Sequence, residues 1–124
     1  MPVSGKRQCQ NIQRAVTRIQ KQYMLGVTMA QLQSNKVLQD AVCYQVLIIG
    51  EAASKILEAD SATVNILDQG GQHGLLAALA KSKATRNLII HQYHNITASI
   101  VWATVTSDEL KEIDRVARHL EHKL

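Results

Sequence analysis

With 124 residues the chain has the length of one globular domain, so a single domain over residues 1–124 with one active site is the expectation. Hydrophobic residues make up 46% of it, phenylalanine is absent and aromatics total 3%, which leaves Leu, Ile, Val, Ala and Met to build the core and suits a helix bundle. The formal net charge is +4, and purely apolar runs such as Val46 to Ile49 are only a few residues long against the roughly 20 that cross a bilayer, which argues against a membrane span.

The N-terminus, Met1-Pro-Val-Ser-Gly-Lys-Arg-Gln, lacks the apolar core of a secretory signal. Cys9 and Cys43 form no C-x-x-C pair, so neither a disulfide framework nor a zinc knuckle is indicated. Two reduced, structural thiols in a cytoplasmic protein are the plain expectation.

Apolar residues Ile12, Ala15, Val16, Ile19 and Tyr23 recur at three- and four-residue steps, which predicts a helix from about Lys6 to Leu25, stopped by Gly26. On such a helix Arg7, Arg14, Arg18 and Lys21 fall within a sector of about 60° opposite the apolar face. Residues 1–39 hold six basic side chains and no acid, so positive charge is concentrated at this end of the chain. Such a stripe is either a solvated face or a surface for phosphates or an acidic partner.

Ser34 or Asn35 can cap a second helix, in which Leu38, Val42, Val46, Ile49, Ala53 and Ile56 keep a helical period to about Glu58. Glycine costs a helix interior roughly 1 kcal/mol against alanine, so Gly50 within it points to close helix packing. Asp60 or Ser61 then caps a short helix to Asp68, which Gly70-Gly71 breaks. Another helix runs from about His73 into Leu88 and Ile89. The last segment begins near Thr97, and Thr106-Ser-Asp-Glu109 reads as a capping box for a final helix containing Ile113, Val116, Ala117 and Leu120. The sum is an all-α bundle of four or five helices without strands.

Chemistry concentrates in Arg86-Asn87-Leu88-Ile89-Ile90-His91-Gln92-Tyr93. RNA can be cut without a metal when its own 2′-hydroxyl attacks the adjacent phosphorus, a step that needs proton transfer and stabilisation of charge on the phosphoryl oxygens. Histidine, with an ordinary pKa near 6.5, supplies the first, and the permanently charged guanidinium of arginine supplies the second. On an unbroken helix Arg86 and Tyr93 lie about 20° apart, whereas His91 is about 140° from Arg86. The three converge only if the helix ends or bends near residues 90–93, or if a second subunit supplies part of the site. Asn95, Ile96 and the cap-like Thr97 make a helix end there the expectation, with the motif bordering a cleft.

This segment resembles the R-x-x-x-x-H-x-Y signature of HEPN ribonucleases. The chain around it is similar to the HepT toxins within that superfamily: Asp40-Ala-Val and Ile49-Gly-Glu-Ala-Ala match the family's D-A-V and I-G-E-A-A blocks, and Ile100-Val-Trp-Ala-Thr-Val matches I-V-W-x-x-V. The stretch from Asp68 to Thr85 departs from the pattern, being glycine-rich and lacking the Pro-Trp of many relatives. The resemblance implies a HEPN-type bundle that forms a homodimer, with Arg86 and His91 as catalytic residues and Asn87 positioning them. It implies a metal-independent endoribonuclease acting on RNA, with tRNA a known target class, as the toxin of a toxin–antitoxin pair. Its partner would be a nucleotidyltransferase antitoxin that uses ATP to transfer AMP to Tyr93, the chain itself needing no cofactor. The alternative is a catalytically inactive HEPN adaptor that binds a nucleotidyltransferase or nucleic acid.

Other residues carry plainer expectations. His91 with His94, and His119 with His122, lack the further ligands of a metal site, so none is expected. Glu51 is expected to be a structural group beside Gly50, and Cys43 a small hydrophobe of the core.

Overall fold

In a computed structural model, which describes residues 4–124, every regular element is helical. The six α-helices are α1 (Gly5–Thr17), α2 (Met29–Gln33), α3 (Lys36–Asp68), α4 (Leu75–Gln92), α5 (Ala98–Thr106) and α6 (Glu109–Glu121). None is long and apolar enough to cross a membrane.

Ser4 starts α1 by accepting a hydrogen bond from the Arg7 backbone N–H, and Cys9, Ile12, Ala15 and Val16 form its buried face. The helix continues as a π-helical turn over Arg18–Tyr23, closed by a Met24 N–H to Ile19 carbonyl bond of 2.8 Å. The even 100° spacing used to align the basic stripe therefore fails beyond Thr17, yet Arg7, Arg14, Arg18 and Lys21 are all exposed.

The short α2 is absent from the sequence expectation. It begins in a capping box, with the Gln31 N–H donating to Thr28 Oγ1 and the Thr28 N–H donating to Gln31 Oε1, and Gln39 Nε2 donates to the Leu32 carbonyl at its end. Leu32 then joins Val42, Cys43, Ala98 and Val101 in a small apolar cluster between α2, α3 and α5.

The anticipated break at Asp60 or Ser61 does not occur. α3 runs unbroken for 33 residues, about 50 Å, because no glycine or proline interrupts it after Gly50 and its apolar face persists from Ile56 to the fully buried Val64. Asp60 and Ser61 can cap a helix, but here both lie within one, Ser61 exposed and the half-buried Asp60 facing Gly5 at the start of α1. The chain leaves α3 through Gln69 in the left-handed region and reverses at Gly70 and Gly71.

The start of α4 is set from across this turn. Gly74 at its N-cap has no side chain to offer, and the buried Asp68 carboxylate accepts instead, from the Leu75 N–H at 2.9 Å and the Leu76 N–H at 3.3 Å. These bonds hold the Asp68 carboxyl below its ordinary pKa of 3.8, against the opposing effect of burial. α4 runs antiparallel to α3 and ends at Gln92, in the interval expected, followed by a 3₁₀ turn over Tyr93–Asn95.

The expected capping box at Thr106–Glu109 also fails to form. α5 already includes Thr106, whose hydroxyl donates to the Trp102 carbonyl, while the Glu109 carboxylate accepts from Thr85 Oγ1 at 2.6 Å. The main core lies among α1, α3, α4 and α6, with Ile12, Ile56, Leu79, Ile113 and Leu120 fully buried. Each such side chain contributes roughly 1.5–3 kcal/mol of burial.

Candidate active site

Close approach of α3 and α4 places Arg86. Gly50 sits where any β-carbon would collide with Arg86 Cβ and lie 2.7 Å from the Ser82 carbonyl oxygen, so only glycine lets the two backbones meet here. The Arg86 stem lies along α3, and its guanidinium is fixed on two sides. Nη1 pairs with Glu51 Oε2 at 2.5 Å, while Nε and Nη2 donate to Asn87 Oδ1 at 3.1 and 2.7 Å.

The guanidinium opens into a groove of about 370 Å³ between α1, α3 and α4, whose walls include Asn11, Tyr44, Glu51, Lys55 and Ile90. The groove is wide and open, with polar groups beside apolar ones. The basic stripe on α1 runs beside it, since Asn11 lies about 40° around that helix from Arg7.

His91 is placed apart. Because α4 remains helical through Gln92, the five-residue step still leaves His91 about 140° from Arg86, exposed on the outward face with Ala84 and Leu88. The helix ends only after His91, so its end does not bring the two together within one chain. Asn87 lies between them around the helix, about 100° from Arg86.

Tyr93 returns to α3. Its hydroxyl donates to Asp40 Oδ1 at 3.2 Å, an atom also 3.2 Å from Lys36 Nζ, and the ammonium stands 5.7 Å from the ring centroid. Hydrogen bonding to Asp40, and that carboxylate's charge, raise the phenol's pKa above 10.0, with Lys36 opposing. Tyr93 as a whole is 42% exposed.

Glu51, Asp40, Lys36 and Lys55 were not singled out as site residues from sequence. Glu51 and Asp40 lie inside the two quoted blocks, and antiparallel pairing of α3 with α4 sets them opposite Arg86 and Tyr93. That pairing was the missing signal. Both thiols are buried, and burial, followed by nearby carboxylates, raises Cys9 to about 12 and shifts Cys43 the same way, which leaves them poor nucleophiles. Among the described residues no cluster of three or more His, Cys, Asp or Glu side chains is placed to hold a metal.

The model of the family described as Ribonuclease HepT-like matches residues 12–120, a span from the first helix to the last that includes the groove and the whole motif. The chain belongs to the HepT-like ribonuclease family. Neither a curated protein nor a solved structure gives a significant match. Membership in the HepT-like family implies ribonuclease activity with RNA as the substrate.

Proposed function

We propose that this HepT-like protein is the toxin of a toxin–antitoxin pair, a cytoplasmic endoribonuclease that cuts RNA without a metal and is silenced by AMP transfer to Tyr93. The observation that carries the reading is the Arg86 guanidinium, fixed by Glu51 and Asn87 at the mouth of an open groove, with an exposed imidazole five residues later on the same helix.

In the reaction, the substrate's 2′-oxygen bonds to the adjacent phosphorus and the bond from phosphorus to the 5′-oxygen breaks. A proton leaves the 2′-hydroxyl and a proton reaches the departing oxygen, transfers that suit His91. Arg86 stabilises the charge that builds on the phosphoryl oxygens, and Asn87 keeps the guanidinium in place. Arg7, Arg14, Arg18 and Lys21 extend the positive surface along which RNA lies.

The divergence of Arg86 and His91 supports a homodimer, in which one copy's arginine meets the other copy's histidine. Exposed apolar side chains at Val37, Tyr44 and Ile90 on the α3–α4 face supply a surface for that contact. The cognate nucleotidyltransferase would use ATP to join AMP to Tyr93 Oη with release of pyrophosphate, bringing a phosphate to the motif's own cation.

The deciding experiment is incubation of unmodified protein, and of Arg86→Ala and His91→Ala, with total cellular RNA in EDTA, followed by end-group analysis. Fragments with cyclic or 3′-phosphate ends from the parent protein alone support the reading. Intact RNA throughout, with Tyr93 shown unmodified by mass spectrometry, would favour the inactive adaptor.

A further inference from the structure

The strongest contact at the site is with an anion of the chain's own. An arginine side chain has five N–H donors, and here Glu51 takes one on Nη1 while Asn87 engages Nε and Nη2. The Glu51 carboxylate also compensates the positive charge that a phosphate would seek. An RNA phosphate approaching Arg86 therefore meets a guanidinium with three of its five donors engaged and its charge offset by Glu51.

The two partners are not equally free to move. The Arg86 side chain is 18% exposed, lies against the Gly50 backbone and is held by Asn87, whereas the Glu51 side chain is 51% exposed and lines an open groove. One turn along α3 stands Lys55, exposed, lining the same groove and four residues beyond Glu51. Glutamate followed by lysine at that spacing is the favourable order for a helical ion pair.

We propose that Glu51 is a counter-ion gate, occupying Arg86 while RNA is absent and swinging to Lys55 when an RNA phosphate takes its place. The gate makes single phosphates poor ligands, because each must displace a carboxylate already in contact. A polyanion with further contacts along α1 offsets that displacement. This inference rests on the ribonuclease reading of the same groove.

The test is a double-mutant cycle on the full chain, measuring affinity for a short 2′-O-methyl RNA of mixed sequence, which lacks the attacking hydroxyl and cannot be cut. Glu51→Gln should bind about three- to tenfold tighter, with the slope of log affinity against log salt steeper by up to about 0.7. The gain should vanish in the Arg86→Ala background. An equal gain with and without Arg86 overturns the gate, since it would report only the lost surface charge. Weaker binding by Glu51→Gln also overturns it, by making Glu51 a support that holds Arg86 ready. If Glu51→Gln does not fold, Glu51→Asp runs the same cycle, its shorter reach giving a smaller gain in the same direction. Should the parent protein neither bind this RNA nor cut cellular RNA, the ribonuclease reading falls and the gate with it.

Discussion

Gly50 on α3 and Arg86 on α4 share a contact that leaves no room for a β-carbon, so the position of the site's cation depends on a hydrogen atom at the fifteenth residue of a helix that starts at Lys36. Two effects oppose one another when a methyl group is added there. Alanine is the better helix former by roughly 1 kcal/mol. Overpacking typically costs 1–3 kcal/mol, and one obstructing atom is the Ser82 backbone carbonyl, which cannot rotate aside. Gly50→Ala is therefore expected to lower stability by up to about 2 kcal/mol. It should also reduce RNA cleavage, because Arg86 is displaced. Denaturant unfolding and a cleavage assay check both, and a more stable variant would show that the helices are not in this contact.

Much of the fold was legible in the sequence, and the losses have physical causes. The all-helical class and the end of α4 follow from spacing, and Gly50 in a helix interior points to the close packing found there. The sequence suggests a division of α3 at Asp60-Ser61 because cap-competent side chains look alike whether they start a helix or sit in its middle. α2 was missed although Thr28-x-x-Gln31 carries its capping box, because five residues are too few to show a period. The candidate residues Arg86, His91 and Tyr93 are nameable from one segment, but Glu51 and Asp40, the partners of Arg86 and Tyr93, come from a distant helix. Only the antiparallel pairing of α3 and α4 brings these to them.

Because Arg86 and His91 diverge on one helix, a site shared between two copies makes a quantitative demand. Arg86→Ala and His91→Ala should each lose RNA cleavage by at least about a hundredfold, the usual scale for a general acid or base or an oxyanion donor. Mixed after unfolding and refolding together, half the dimers would be hybrids, and each hybrid would hold one intact pairing of arginine with histidine. Activity should then return to about a quarter of the parent level. No recovery on mixing would place both residues' work within one chain or remove the dimer.

On the proposed reading, Tyr93 separates regulation from cleavage. Its hydroxyl reaches Asp40, not Arg86, so Tyr93→Phe removes one exposed hydrogen bond and should leave RNA cleavage within about threefold of the parent, as surface changes usually do. The same variant should no longer gain the mass of AMP when treated with a cognate nucleotidyltransferase and ATP, and should stay active in its presence. Loss of cleavage in Tyr93→Phe would instead assign the phenol to the chemistry.

Asp68 sets the acid stability of the α3–α4 turn. Its carboxylate accepts the first two N–H groups of α4, and these bonds lower its folded pKa below 3.8. A group with a depressed folded pKa stabilises the native state above its unfolded pKa and loses that contribution as pH falls through the folded value. Stability should therefore be level in Asp68 near pH 5 and decline below pH 3.8. Asp68→Asn can still accept one of the two bonds with its amide oxygen, so it should fold with a lower Tm at neutral pH and a smaller further drop in acid. Melting curves of the two proteins between pH 3 and pH 7 check this. Parallel curves across that range would mean that the carboxylate is not the charged cap of α4, and that the helix is started by the turn geometry of Gly70, Gly71 and Gly74 alone.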